Sequence, residues 1–293
     1  MLHGNTNWPL ALHIVPTIER IDVGGAAPVT AQVYRHATIR SAPLVLHLRG
    51  GAFLGLLPAA ERPVAALLAQ TGAVVVSADY PAGGASPFPA AVEAMYALLC
   101  RLHDRRAHWA GRAAKLFVAG EEAGGNLAAA LALMARDRLG PPLAGQILLS
   151  PMLDAGMATC SYRNAEAGSV GCKWADGWRA YLGTPGKAAH PYAAPSCGSR
   201  LYGLPPALVL TAADDPMRDE SLCYARRLQE AGTPAQARIL DTGGWPDALA
   251  GPSAPWAAGV RDAFAGFFAA TAPNLSPALL AAPRFLRQGA DHD

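Results

Sequence analysis

The sequence has few charged residues and almost no net charge. Only 16% of its 293 residues are Asp, Glu, Lys or Arg, and the formal net charge at pH 7 is +2. Its basic residues do not follow one helical face, so we expect no nucleic-acid partner. Hydrophobic residues make up 52% of the chain, and this composition predicts a large folded core rather than disorder.

Cysteine pairs of the Cys-x-x-Cys type are absent. The five cysteines are an odd, widely spaced set: Cys100, Cys160, Cys172, Cys197 and Cys223. This spacing is typical of reduced thiols in a cytoplasmic protein, and it favours neither a disulfide framework nor a metal site. A Walker loop and a dinucleotide fingerprint are also missing, so we expect no cofactor.

Long apolar segments are missing too. The most apolar run, at residues 127–134, is too short to span a bilayer, and residues 1–5 lack the basic start of a signal peptide. We therefore expect a cytoplasmic protein with no membrane span. Since no linker or repeat divides the chain, we expect one domain over residues 1–293.

Short apolar strands alternate with helical patterns along most of the chain. This alternation predicts an α/β fold, with a mostly parallel sheet and helices on both faces. Residues 154–190 interrupt the pattern and carry Trp174 and Trp178, so we interpret them as a lid that borders an apolar pocket. Residues 274–293 form an extra C-terminal tail. We predict strands at 43–48, 73–78, 115–119, 146–149, 207–211 and 235–240, and helices at 89–103, 127–138, 220–231 and 260–270.

Charged residues follow three of the predicted strands. Arg49, Glu122 and Asp215 each come just after a strand, and the carboxyl ends of parallel strands meet at one edge of a sheet. We therefore expect the three side chains to converge on one crevice. Glu122 is the central residue of a Gly-Glu-Glu-Ala-Gly run, which has the frame of the G-x-S-x-G nucleophile elbow with glutamate in place of serine.

Several motifs in this order carry a family resemblance. They are residues 46–53, 76–80, 87–91, 120–127, 204–212 and 215–220. With them, the chain resembles the hormone-sensitive-lipase-like branch of the α/β-hydrolases from about residue 23 to residue 270. The resemblance implies an α/β-hydrolase fold with a small helical lid.

The resemblance also implies where the catalytic residues fall. The family's serine falls on Glu122 and its acid on Asp215. Its histidine is expected near Trp245, yet the chain has no histidine between His190 and His292. We expect Trp245 to fill the vacated histidine position.

The family's His-Gly-Gly-Gly oxyanion motif corresponds to residues 49–52, where Arg49 replaces the histidine. The resemblance implies an oxyanion hole made by the backbone N–H groups of Gly50, Gly51 and Ala123, because such a hole needs no side chains. Arg49 and Glu122 look like matched replacements. They either pair with each other or both act on a substrate.

Three functions remain open on this reasoning. The first is a repurposed non-hydrolytic enzyme of secondary metabolism, such as a lyase, dehydratase, isomerase or cyclase, in which Glu122 abstracts a proton next to a carbonyl. The second is a catalytically inactive pseudoenzyme that binds a ligand or a protein. The third is an esterase that uses Glu122. We favour the first, with an apolar carbonyl-containing small molecule as substrate and a homodimer as one form of the protein.

Overall fold

The structure is a computed structural model that describes residues 14–24, 27–35, 42–55, 62–84, 86–166, 171–241 and 256–272. Trp245 and the tail at 274–293 lie outside the described residues. The strands are β1 (Thr17–Ile21), β2 (Val29–Tyr34), β3 (Leu44–Leu48), β4 (Val74–Ala78), β5 (Leu116–Glu121), β6 (Leu143–Leu149), β7 (Ala207–Ala212) and β8 (Ala235–Leu240). The helices are α1 (Pro63–Gln70), α2 (Ala90–Asp104), α3 (Arg106–Trp109), α4 (Glu122–Asp137), α5 (Cys160–Glu166), α6 (Gly171–Leu182), α7 (Arg218–Glu230) and α8 (Trp256–Thr271).

The strands form one mixed sheet in the order β1-β2-β4-β3-β5-β6-β7-β8. Pairing is parallel from β4 through β3 and β5 to β8, whereas β1 pairs with β2, and β2 with β4, antiparallel. The predicted α/β fold with a mostly parallel sheet is therefore confirmed. The six predicted strands all form, within two or three residues of their expected ends.

Helices cover both faces of the sheet and bury two apolar cores. On one face, α2, α4 and α7 pack against residues such as Leu46, Val76 and Val118. On the other, α1 and α8 pack against residues such as Val45 and Val75. Alternate residues of each strand serve the two faces, as the period of a β-strand requires. None of the described helices is both long and apolar enough to cross a membrane.

The sequence reasoning missed the first two strands and α1. β1 has exposed residues at most of its positions, so its apolar pattern is weak. α1 is short, with Pro63 in its first turn, where a missing N–H costs nothing. The predicted start of α4 at residue 127 was also wrong, because the helix begins at Glu122, directly after β5.

Glycines let α4 approach the ends of β3 and β5 very closely. A Cβ on Gly124 would lie 1.9 Å from the carbonyl oxygen of Leu48, and a Cβ on Gly120 would lie 2.3 Å from that of Gly124. Backbone therefore touches backbone at this crossing, and no side chain fits between. The crossing fixes the distance between the loop after β3 and the first turn of α4.

Gly124→Ala should lower the free energy of unfolding by at least about 1–3 kcal/mol, because the methyl group meets rigid backbone rather than a flexible side chain. Gly266→Ala is the matched control, since Gly266 lies in α8 with nothing within 4 Å of the added Cβ. There the better helix propensity of alanine should add about 0.5–1 kcal/mol. Urea unfolding measures both, and equal effects would contradict the close crossing.

Candidate active site

Glu122 occupies a sharp turn between strand and helix. β5 ends at Glu121 and α4 begins at Glu122, whose φ of 53° lies in the left-handed region. Residues other than glycine rarely adopt this backbone conformation. It costs on the order of 1–3 kcal/mol and persists only where the surrounding structure imposes it. The turn has the geometry of a nucleophile elbow and presents Glu122 at the carboxyl end of the sheet.

Three N–H groups hold the Glu122 carboxylate. Its Oε2 accepts from the backbone N–H groups of Gly51, at 2.6 Å, and Ala52, at 3.0 Å. Its Oε1 accepts from the indole Nε1–H of Trp174, at 2.5 Å. The two backbone donors belong to the loop after β3, which we call the oxyanion loop (residues 49–53). An arrangement of this kind binds an anion, here an internal carboxylate.

Glu121 holds the preceding N–H of the same loop. The backbone N–H of Gly50 donates to Glu121 Oε1 at 3.2 Å. Three successive N–H groups of the oxyanion loop are thus bound by two successive carboxylates. Of the N–H groups expected to form an oxyanion hole, that of Gly51 donates to Glu122 and that of Gly50 to Glu121, and the Ala52 N–H also donates to Glu122. Ala123 is buried in the first turn of α4.

Arg49 lies close to Asp79 at the start of the oxyanion loop. Its Nε lies 3.8 Å from Asp79 Oδ1, to which Arg62 also donates at 2.6 Å. Tyr80 packs nearby and donates to the Arg49 carbonyl at 2.9 Å. Burial, and then the charges of Glu122 and Glu121, raise the pKa of this hydroxyl. Arg49 therefore contacts Asp79, beside the backbone donors that hold Glu122.

Helix α6 lies directly on the oxyanion loop. A Cβ on Gly177 would lie 1.8 Å from the carbonyl oxygen of Ala52, so only glycine permits this approach. Trp174 is fully buried beside Glu122, and the Trp178 ring packs 5.3 Å from that of Phe53. The segment expected to be a lid therefore contributes Trp174 to the immediate surroundings of the elbow, and Trp178 packs beneath the loop.

Asp215 is buried in the loop after β7 and is held by its own neighbourhood. Its Oδ2 accepts from the hydroxyls of Ser150 and Thr211, and its Oδ1 from the backbone N–H of Met217 at 3.0 Å. These contacts support the role of a loop anchor. β5 and β7 end at the same edge of the sheet, so Glu122 and Asp215 lie at the same edge, as expected.

Asp219 and Glu220, in the first turn of α7, accept hydrogen bonds from the segment that leads into and begins α5. The Glu220 carboxylate accepts from the backbone N–H groups of Leu153, at 3.0 Å, and Asp154, at 3.2 Å. Burial raises the pKa of Glu220 well above its ordinary value. Asp219 accepts from the N–H of Ser161 at 2.8 Å. Burial opposes ionisation of Asp219, but this bond and Arg218 lower its pKa.

The described residues hold no group of three His, Cys, Asp or Glu side chains that would bind a metal ion. Sequence reasoning missed two contributors to the site, Glu121 and Ala52. The signal for both was their position: Glu121 precedes the elbow residue, and Ala52 follows the two glycines of the oxyanion motif.

Comparison with known proteins shows that the chain is similar to proteins named esterase or carboxylesterase. Residues 45–243 match the family described as alpha/beta hydrolase fold. Carboxylesterase NlhH of Mycobacterium tuberculosis (strain ATCC 25618 / H37Rv) is 34% identical over 225 residues, which cover 73% of this chain and 70% of that protein. Esterase LipI of the same strain is 30% identical over 238 residues, covering 78% and 74%. The solved structure of an esterase from Pyrobaculum calidifontis has a TM-score of 0.79 and 34% identity, covering 88% and 86%.

These relatives contradict the prediction of a non-hydrolytic enzyme or an inactive pseudoenzyme, and that prediction is wrong. It rested on the residue types at the serine and histidine positions alone. The relatives are named carboxylesterase and esterase, and the chain shares the scaffold with them over most of its length. The elbow and the oxyanion loop keep their form around Glu122.

The stability of the protein should depend on the ionisation of Glu220. Because its pKa is raised in the folded state, the folded protein binds this proton more tightly than the unfolded chain does. The stabilisation is fully present below the ordinary glutamate pKa of 4.5 and is lost as the pH rises towards the higher folded value. Urea unfolding at several pH values above 4.5 should show that Glu220→Gln removes this loss. The exposed control Glu230→Gln should keep it, and parallel wild-type and Glu220→Gln curves would refute the assignment.

The Trp174–Glu122 hydrogen bond should appear as a coupling energy. A hydrogen bond to a charged group contributes about 1.5–3 kcal/mol when its partner is present. Trp174→Phe should therefore cost more in the wild type than in a Glu122→Ala background, by about that amount. Urea unfolding of the four proteins measures the difference, and additive effects would show that the indole does not bind the carboxylate.

Proposed function

Because this chain belongs to the hormone-sensitive-lipase-like branch of the α/β-hydrolase family, we propose that it hydrolyses esters of small molecules. The observation that carries the proposal is the position of the Glu122 carboxylate, which lies on the elbow and contacts the oxyanion loop. The names of its relatives, carboxylesterase and esterase, support an ester as the substrate.

Glu122 acts as a general base on water. A water oxygen attacks the carbonyl carbon of the ester while one of its protons passes to Glu122 Oε1, which keeps a free lone pair beside the Trp174 bond. The tetrahedral intermediate then expels the alcohol oxygen, which takes the proton back. One ester and one water give one acid and one alcohol, and Glu122 returns to its starting state.

General-base catalysis suits this chain better than a covalent glutamyl intermediate. Attack by Glu122 itself would form an anhydride, and a second base would then be needed to activate the water that opens it. The sequence has no histidine between His190 and His292, the span in which that base is expected. A single base acting on water needs no such partner.

The oxyanion loop limits the rate of this reaction. Its Gly51 and Ala52 N–H groups are the donors that a tetrahedral oxyanion would use, and both bind Glu122 Oε2. The substrate oxygen must share these donors with the carboxylate. Since one such donor contributes on the order of 100- to 1,000-fold to kcat, we expect turnover well below that of an enzyme with an open hole.

The other predicted site residues have supporting roles in this proposal. Arg49, with Asp79, places the start of the oxyanion loop, and Asp215 anchors the loop after β7. Trp174 orients the carboxylate, and apolar groups of the ester lie against the lid near Trp178. The replacement of the family's serine and histidine is part of the same proposal.

We further propose the organisation that the sequence suggests. Residues 1–293 form one domain, residues 154–190 act as its lid, and the protein works in the cytoplasm without a cofactor. A homodimer is one form in which it is expected.

Hydrolysis of p-nitrophenyl butyrate by concentrated enzyme tests the proposal. The wild type should exceed the uncatalysed rate, and Glu122→Ala and Glu122→Gln should each lose at least about 100-fold, because both lack the base. Added formate should restore part of the activity of Glu122→Ala, since a free carboxylate can enter the vacated donor set.

Glu230→Gln serves as the control, because it removes an exposed carboxylate in α7 without touching the site. It should hydrolyse the ester at the wild-type rate. A Glu122→Ala variant as active as the wild type, or a wild type with no turnover above background, would overturn the proposed function.

A further inference from the structure

A chain of buried hydrogen bonds runs behind the elbow. His47 Nε2 lies 2.7 Å from Glu121 Oε2, and His47 Nδ1 lies 2.8 Å from the Ser77 hydroxyl. Arg62 Nη1 donates to that hydroxyl at 3.0 Å. His47 and Ser77 are completely buried, so neither meets a substrate. The chain ends at Glu121, whose other oxygen accepts from the Gly50 N–H.

The strand register explains why these residues meet. In the parallel sheet, His47 pairs with Ser77 of β4 and with Ala119 of β5. Glu121 lies two residues beyond Ala119, so its side chain points to the same face of the sheet. Arg62, directly before α1, covers that face. The polar side chains thus share a strip on the face of the sheet against which α1 packs.

The donors and acceptors of the chain agree with one tautomer of histidine. An ionised carboxylate only accepts hydrogen bonds, so the Nε2–H of His47 donates to Glu121. The neutral ring then accepts at Nδ1 from the Ser77 hydroxyl, whose oxygen accepts in turn from Arg62. Each hydrogen bond of the series is therefore donated in the same direction, from Arg62 towards Glu121.

We propose that neutral His47, protonated on Nε2, is a positioning residue for the oxyanion loop. It fixes Glu121, Glu121 holds the Gly50 N–H, and the next two N–H groups of the loop are thereby directed at Glu122. Its effect on ester hydrolysis rests on the proposed function, because His47 acts through Glu121 and touches no reacting atom. The positioning itself does not depend on that function.

Nitrogen-15 NMR of the histidine ring tests the tautomer in the wild type, so no variant has to fold. The expected spectrum shows a proton on Nε2 and none on Nδ1 at neutral pH. A ring protonated on Nδ1, or on both nitrogens, would overturn the proposal, because the direction of the chain would then be different.

Two substitutions test the positioning. His47→Leu removes both polar contacts, whereas the amide of His47→Gln can still donate to Glu121. Amide hydrogen exchange at Gly50 and Gly51 should become at least about tenfold faster in His47→Leu and should stay near the wild-type rate in His47→Gln. Equal exchange in all three proteins would show that His47 does not hold the loop.

The same variants should separate in ester hydrolysis. His47→Leu should lose about tenfold in kcat with little change in KM, because the donors are misdirected while the substrate contacts remain, and His47→Gln should recover most of that loss. His108→Gln is the control at an exposed histidine. Equal kcat loss in the Leu and Gln variants would overturn the positioning role. A wild type without turnover would overturn the proposed function, while the tautomer and exchange results would still decide the role of His47.

Discussion

The contact between the oxyanion loop and the first turn of α4 is the constraint on which the site depends. Gly124 brings the helix onto the carbonyl of Leu48, with no room for a side chain between them. At that distance, Glu121 and Glu122 reach three successive N–H groups of the loop. Two adjacent carboxylates would repel each other, and the donors, together with the start of a helix, offset that repulsion.

The same contact determines the chemistry. An oxyanion hole is normally empty until charge develops on the substrate, but here its donors hold a carboxylate that belongs to the protein. In the proposed mechanism, Glu122 is thereby oriented as a base and at the same time competes with the substrate for stabilisation. Helix α6 adds the Trp174 indole to this set and closes over the loop at Gly177. The Glu122 carboxylate, its N–H donors and helix α6 therefore form one packed unit.

Much of the fold was predictable because it depends on local patterns. Runs of β-branched residues such as 74–76 indicated buried strands, and the glycines around Glu122 indicated a tight turn. The exposed β1 and the short α1 lack such patterns and were missed. The function was mispredicted because the residue types at two positions outweighed the scaffold, whereas the named relatives point to ester hydrolysis.

The α/β architecture, the elbow with Glu122 at its centre and the position of Asp215 after a strand follow from the amino-acid sequence alone, because each depends on residues that are close together in the chain. Which groups meet depends on the three-dimensional packing. Arg49 lies near Asp79, the Ala52 N–H donates to Glu122, and His47 is joined to Glu121. The two residues of each pair are 30 to 74 positions apart in the chain, and they lie on or just after neighbouring strands. Their pairing depends on sheet order and register, which no local pattern of residues specifies.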